Sequence, residues 1–233
     1  MKAKLLLSAT LLGLSATNAS AQELTISVTN LTQGIHFTPI IIASHDNNTT
    51  IFELATTAST ELTALAEGGD ISGVSTMLTA AGADVVENPA TGLLAAAATT
   101  ETSLSTSAAN GYLSLAAMML PTNDGFVGLN SWEIPTDAGT YTLWLNAYDA
   151  GTEANDELVV ADSGAPGVQG IPAAPAENSG TNGTGLSDAQ SNGSVHVHRG
   201  TLGDDELTGG ASDLDNTVHR WLNPVAKVTI TIQ

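Results

Sequence analysis

The chain contains no cysteine among its 233 residues. Without cysteine there can be no disulfide framework, no Cys-ligated zinc or iron–sulfur site and no thiol nucleophile. The stability of the fold must therefore come from a hydrophobic core, from a hard metal ion, or from both.

Basic residues are almost as scarce as cysteine. Five Lys+Arg stand against 24 Asp+Glu, which gives a formal net charge of −19. Nucleic-acid binding depends on clustered Lys and Arg that neutralise phosphates, so we expect no nucleic-acid partner. Aromatic residues make up only 4% of the chain, but apolar residues make up 42%. That content is close to the globular average and allows a real core.

The first residues predict an export signal. Met1–Lys4 contain two lysines, Leu5–Leu14 are mostly apolar, and Asn18–Ala21 end in small residues with an Ala-x-Ala pattern. These are the three parts of a secretory signal peptide, and the apolar run is too short to span a bilayer. We therefore expect residues 1–21 to be removed, the mature protein to be secreted or periplasmic, and no membrane insertion.

Alternation of apolar and polar residues predicts β-strands along most of the chain. The clearest alternation lies in Leu24–Val28, Tyr141–Leu145 and Ala226–Ile232. Further β-rich runs are Pro39–Ala43, Thr102–Ala108, Tyr112–Leu120 and Ser194–His198. At least seven strands separated by polar turns predict an all-β fold, an antiparallel β-sandwich.

Two short helices and one long loop interrupt the strands. Helical spacing from Leu54 to Ala66 predicts the first helix, and Asp70 is the expected cap of the second. Residues 161–193 are rich in Gly, Pro, Ala, Asn and Ser and lack periodicity, which predicts a long flexible loop. Because the strands on either side need each other, we expect residues 22–233 to form one domain.

Acidic residues collect in three places along the chain, which are residues 121–125, 148–157 and 203–215. Carboxylates at strand ends repel one another unless a cation neutralises them, and calcium accepts several oxygen ligands at flexible geometry. Asp149 and Glu153 can fold back across a glycine-containing turn, and Asp124 in a neighbouring loop would complete a metal cluster. Solvated acidic loops that bind nothing are the alternative interpretation.

The histidines form a competing candidate site. His196 and His198 lie on the same face of a predicted strand, with His219 nearer the C-terminus. Such a pair can bind zinc, and an exported hydrolase would also need a third ligand and a general base. Residues 202–210 also match one unit of a calcium-binding Gly-Asp nonapeptide repeat, but a single copy cannot bury its own face.

Segments spread over nearly the whole mature chain resemble the spondin N-terminal domain family, in particular its secreted bacterial members. The most specific segment is the Asp-Ala-Gly-Thr-acid turn of Asp149–Glu153. The other matching segments are residues 28–34, 37–39, 64–70, 115–126, 147–148, 195–200, 213–215 and 221–228.

The resemblance implies a C2-like antiparallel β-sandwich with one calcium ion at its loop end, as in extracellular matrix and adhesion proteins. By position, the calcium-binding aspartates of animal members correspond to Asp124, Asp149 and Glu153. The chain departs from the animal motifs at Gly125 and Tyr148, which replace Trp, at Glu153, which replaces Asp, and in lacking cysteine.

We therefore predict a secreted, non-enzymatic calcium-binding domain that interacts with a protein or glycan at the cell surface or in a matrix. Two alternatives stay open. One is an exported metal-dependent hydrolase that uses His196 and His198, and the other is a purely structural secreted domain without metal.

Overall fold

A computed structural model describes residues 21–175, 179–186 and 192–233 of the chain. Residues 1–20 of the predicted signal peptide lie outside the described residues. The described part contains ten strands and two helices. They are β1 (Glu23–Asn30), β2 (His36–Phe37), β3 (Ile41–His45), α1 (Thr60–Gly68), α2 (Ser72–Ala80), β4 (Asp84–Glu87), β5 (Thr99–Ser105), β6 (Tyr112–Leu120), β7 (Gly125–Glu133), β8 (Gly139–Asp149), β9 (His196–Val197) and β10 (Ala226–Ile232).

The strands form an antiparallel sheet in the order β4-β3-β6-β7-β8-β10-β1-β5, with β2 paired to β6 and β9 paired to β8. The two end strands, β4 and β5, contact each other, so the sheet nearly closes on itself. The predicted antiparallel, mostly β architecture is confirmed, and the C2-like detail stays a prediction. No helix in the described ranges is long and apolar enough to cross a membrane.

Strand β8 joins the β4-β3-β6-β7 part of the sheet to the β10-β1-β5 part. Its residues Gly139–Leu145 pair with β10, whereas Asn146–Asp149 pair with the start of β7. The last two residues, Tyr148 and Asp149, also pair with β9. The C-terminal end of β8 is therefore held by a strand on each side, and this end carries Asp149.

The core has two parts, one inside the sheet and one beneath the helices. The inner part follows the predicted alternation, because the even-numbered apolar residues of β1 and β10 all point inward and are buried. The outer part joins α1 and α2 to β6 and β7 through Leu62, Leu65, Leu78, Ala116 and Phe126. Strand β6 is consequently buried on both faces, which explains its unbroken apolar sequence.

Three strands were not predicted from the sequence: β2, β4 and β7. Strand β7 was missed because its first four residues, Gly125–Gly128, are all buried and show no alternation. Alternation of apolar and polar residues identifies strands that have one buried and one solvent-exposed face. A strand that is buried on both faces shows no such alternation and is not identified by it. This omission matters because β7 begins directly after Asp124.

The helix starts also differ from the prediction. Helix α1 begins at Thr60 because the hydroxyl of Ser59 accepts a hydrogen bond from the N–H of Leu62, and Leu54 lies outside the helix and is exposed. Ile71, rather than Asp70, occupies the N-cap position of α2. The Asp70 carboxylate nevertheless accepts from the N–H of Ser72 at 2.9 Å, so it still serves the first turn.

Much of the Gly/Pro-rich segment lies against the domain. Ser163 and Ile171 are buried, and the N–H of Ile171 donates to the carbonyl of Leu158 at 2.8 Å. The N–H of Val160 donates in turn to the carbonyl of Ile171 at 2.9 Å. Residues 176–178 and 187–191 of the predicted flexible loop lie outside the described residues.

Candidate functional site

The turn between β6 and β7 and the end of β8 bring two of the predicted site residues together. Asp124 directly precedes β7, and the next residue, Gly125, pairs in register with Asp149. The N–H of Ala150 donates to the backbone carbonyl of Asp124 at 3.1 Å. The register of two neighbouring strands therefore places Asp124 beside Asp149.

Asp124 is fully buried and receives its hydrogen bonds on one oxygen only. Its Oδ2 accepts from the N–H of Thr152 at 2.7 Å, from the Thr152 hydroxyl at 3.2 Å and from the N–H of Glu153 at 3.0 Å. Its Oδ1 is buried and has no hydrogen-bond partner among the described residues. The carboxylate is thus fixed by the 152–153 backbone, with its second oxygen left over.

Asp149 is also buried, and both of its oxygens accept hydrogen bonds. Oδ1 accepts from the N–H of Gly151 at 2.8 Å and Oδ2 from the amide of Asn155 at 2.7 Å. The His196 Nε2 atom lies 3.7 Å from Oδ2. A carboxylate oxygen has two lone pairs, so these contacts leave Asp149 capacity for a further partner.

Glu153 completes the set from the same turn. Its Oε2 accepts from the N–H of Gly170 at 3.0 Å and lies 3.4 Å from the amide nitrogen of Asn123. Its Oε1 is buried and has no partner within the described part of the chain. Glu153 therefore repeats the arrangement of Asp124, with one oxygen held by the backbone and one oxygen left over.

The electrostatics of the site reflect crowded, buried negative charge. Burial, and next the charge of Asp149, raise the pKa of Asp124 to about 7. Burial raises the pKa of Glu153 to about 8, and the carboxylates of Glu67 and Asp124 add to this shift. Both groups thus hold a proton near neutral pH far more strongly than an exposed carboxyl does, and a bound cation would replace that proton.

The donor set fits a hard cation chemically. Asp124 Oδ1 and Glu153 Oε1 are buried oxygens without partners, and an uncompensated buried carboxylate is costly. Oxygen ligands of this type are those that calcium prefers. In the described residues, however, no group of three or more His, Cys, Asp or Glu side chains is already arranged around one metal position. The free oxygens would have to turn toward a shared ion.

Sequence reasoning missed one acidic residue of this region, Glu67 of α1. It is buried, its Oε2 accepts from the N–H of Gly167 at 2.6 Å, and its Oε1 has no partner among the described residues. Residues 64–70 are among the segments that resemble the spondin family, but nothing in the sequence marks their glutamate as a site residue. Burial on a helix face is not readable from one acidic residue in the sequence.

The two candidate zinc ligands have different surroundings. His198 is buried beside Trp221, with ring centroids 5.1 Å apart, and burial lowers its pKa to about 4. His196 is partly exposed, and its two ring nitrogens contact the Ser194 carbonyl at 2.8 Å and the Asn192 amide at 3.1 Å. One ring therefore packs in the interior while the other is held by its own turn.

The third acidic region binds its own backbone. Glu157, from the second acidic region, is buried, and both of its oxygens accept hydrogen bonds from this loop: from the N–H groups of Leu202 and Gly203 and from the Ser212 hydroxyl. Asp204 accepts from three further backbone N–H groups, those of residues 206, 211 and 212. The carboxylates of Glu157 and Asp204 are therefore satisfied by the loop that they hold.

Comparison with known proteins gives one family match. The model of the family described as Spondin_N matches residues 28–165, which is more than half of the chain. The matched range includes both helices and the three carboxylates of the site. A comparison with curated proteins found no match.

Proposed function

The chain belongs to the spondin N-terminal domain family, and from this premise we propose that it is a secreted or periplasmic, non-enzymatic domain that binds calcium and acts in cell-surface, matrix or adhesion interactions. The ion would be held by Asp124, Asp149 and Glu153. When bound, calcium would supply positive charge that neutralises the buried carboxylates and joins the turn before β7 to the turn after β8.

One observation carries the calcium proposal: two neighbouring buried carboxylates, Asp124 and Glu153, each keep one oxygen without a partner. Among the described residues, no Lys or Arg forms an ion pair with either of them. Protonation can neutralise the carboxylates of Asp124 and Glu153, and a cation that binds there would displace those protons. Backbone carbonyls and water would complete the six to eight oxygen ligands that calcium takes.

Calorimetric titration of the purified protein with calcium, after treatment with a chelator, tests this proposal. We expect saturable binding of one ion, lost or strongly weakened in Asp149→Asn, which removes one charge at nearly constant shape. Asp137→Asn, on an exposed turn, is the matched control and should bind like the wild type. Absence of calcium binding by the wild type would contradict the proposal and favour the purely structural alternative.

The hydrolase alternative is tested with the histidines. Both ring nitrogens of His196 are engaged by its own turn, whereas the buried Nε2 atom of His198 has no partner among the described residues, so the pair offers one free ligand atom and not two. His196→Ala should leave calcium binding nearly intact, because imidazole is a poor ligand for so hard an ion. Loss of calcium binding in His196→Ala, with retention in Asp149→Asn, would move the site away from the carboxylates.

A surface groove supports the interaction role. Trp144, unusually exposed for a tryptophan at 59%, lines a cavity of about 340 Å³ together with Phe52, Tyr148, Asn130 and Asn146. The exposed ring of Trp144 offers a flat surface on which a ligand can stack, and no charged residue of the described ranges lines the cavity. On a protein of net charge −19, an uncharged groove of rings and amides suits a neutral sugar chain, whose C–H faces stack on rings and whose hydroxyls bond to amides.

Binding to a panel of neutral and acidic oligosaccharides tests the glycan proposal. We expect neutral sugars to bind and Trp144→Ala to abolish their binding. Leu222→Ala removes another exposed apolar side chain elsewhere on the surface and should bind normally. Binding of acidic sugars alone, or of a protein partner with no sugar binding, would overturn this assignment of the groove.

A further inference from the structure

Glu67 is a fourth buried carboxylate at the same end of the domain. It lies in the last turn of α1, 0% of its surface is exposed, and its Oε1 has no hydrogen-bond partner within the described part of the chain. No described Lys or Arg forms an ion pair with it. An acidic residue so placed is rare unless it is paired or bound to a metal.

One loop segment donates hydrogen bonds to both Glu67 and Glu153. The N–H of Gly167 donates to Glu67 Oε2 at 2.6 Å, and the N–H of Gly170 donates to Glu153 Oε2 at 3.0 Å. Each acid therefore has its Oε2 atom fixed by the same four-residue stretch and keeps a buried Oε1 without a partner. Two independent side chains, from α1 and from the turn after β8, thus share one arrangement.

The close approach of helix and loop keeps these acids near each other. A Cβ atom on Gly68 would lie 2.1 Å from the carbonyl oxygen of Gly164, so glycine is required for the contact at the end of α1. The charge of Glu67 acts on Glu153 more strongly than the charge of Asp124 does. Glu67 is therefore the nearer carboxylate neighbour of Glu153 in electrostatic terms.

We infer that Glu67 is a further ligand of the cation site, and that it binds the same calcium ion as Glu153 through its free Oε1. This inference rests on the proposed calcium-binding function. It extends the site from two strand ends to the helix layer, because the ion would join α1 and the 164–170 segment to the turn after β8. The fourth carboxylate would raise affinity, since calcium affinity is tuned by the number of charged ligands.

The test compares Glu67→Gln with the wild type by calorimetric calcium titration and by thermal unfolding in chelator. Glutamine keeps the shape and the acceptor for the Gly167 N–H but removes the charge. We expect calcium affinity to fall by about tenfold or more. We expect the melting temperature in chelator to hold or rise, because an uncompensated buried charge is gone. Glu61→Gln, in the first turn of the same helix, is the matched control and should change neither quantity.

The outcomes separate this inference from the proposed function. If the wild type binds calcium and Asp149→Asn does not, while Glu67→Gln binds with wild-type affinity, Glu67 is a structural acid only and the inference is overturned. If the wild type binds no calcium, both fall. Should Glu67→Gln fail to fold, Glu67→Asp keeps the charge on a shorter arm, and unchanged affinity in that variant would likewise overturn the inference.

Discussion

The backbone N–H of Glu153 donates to the Oδ2 atom of Asp124 at 3.0 Å, so the two acids are joined through a backbone group and not through a counter-ion. This bond fixes the direction of the Asp124 carboxylate while leaving its Oδ1 free. The site thus has its geometry set in advance by the fold, and its charge remains to be neutralised. The first two predictions follow from that combination.

Stability in the presence of a chelator should fall as pH rises from about 7.5 to 9. Asp124 and Glu153 have folded-state pKa values of about 7 and 8, raised from 3.8 and 4.5 mainly by burial. The folded state therefore binds more protons than the unfolded state in this range, and stability decreases with pH. Calcium should reverse the trend, with its stabilising effect largest above pH 8 and smaller as protons compete.

Thermal unfolding at matched pH values, with chelator and with excess calcium, measures both trends. The range above pH 7.5 is chosen because burial lowers the folded-state pKa values of His36, His198 and His219. In the unfolded state these rings titrate near 6.5, so above about pH 7.5 they are neutral in both states and add little slope. A melting temperature in chelator that rises between pH 7.5 and 9 would contradict the assignment of the raised pKa values.

Asp124→Asn should stabilise the protein in chelator near pH 8 while removing its response to calcium. The asparagine carbonyl can still accept from the N–H groups of Thr152 and Glu153, but the variant brings no charge into the interior. We expect a melting temperature in chelator a few degrees above that of the wild type and little further gain on adding calcium. Asp137→Asn should match the wild type in both buffers.

Local residue patterns predict some elements of the fold and not others. Strands β1 and β10 were predicted because one face is buried and the other wet, which produces alternation along Leu24–Val28 and Ala226–Ile232. Strand β7 lacks that contrast because both of its faces are covered at Gly125–Gly128. The start of α1 was misplaced because Leu54 continues the helical spacing, whereas the cap at Ser59 decides where the helix begins.

The residues of the candidate site also differ in how far the sequence predicts them. Asp149 and Glu153 are four residues apart, so the turn that joins them could be recognised from the sequence. Asp124 required strand pairing, but it followed a recognisable apolar strand. Glu67 lies 86 positions before Glu153 in the chain, and only the packing of α1 against the 164–170 segment places it at the site. Long-range placement of this kind depends on tertiary contacts that no local pattern contains.

Gly151→Ala should destabilise the protein far more than Gly82→Ala. Both glycines have positive φ, +73° and +83°, so each alanine carries a backbone penalty of about 1 kcal/mol. A Cβ on Gly151 would also lie 2.4 Å from the carbonyl oxygen of Ser194, whereas no atom of the described residues would lie within 4 Å of a Cβ on Gly82.

Denaturant unfolding of the two glycine variants measures the difference. We expect Gly151→Ala to lose about 3 kcal/mol or more of unfolding free energy, because the turn must move away from the backbone that precedes β9. Calcium affinity should fall with it, since the same turn carries Asp149 and Glu153. Equal losses in the two variants would mean that the approach of Gly151 to Ser194 is not maintained in solution.

Calcium should protect the 161–193 segment from proteolysis. The N–H groups of Gly167 and Gly170 donate to Glu67 and Glu153, so repulsion between those carboxylates weakens the attachment of the segment when no cation is bound. Elastase suits the experiment because it cuts after small apolar residues, and Val168 is exposed within the segment. We expect the first cut, mapped by mass spectrometry, to fall in residues 161–193 and to be several-fold faster in chelator.

Asp149→Asn should be cut at the faster rate in both buffers, and an unrelated calcium-independent substrate should show that elastase itself is unaffected. Equal rates for the wild type with and without calcium, or a first cut within Tyr112–Leu120, would contradict the coupling of this segment to the carboxylates.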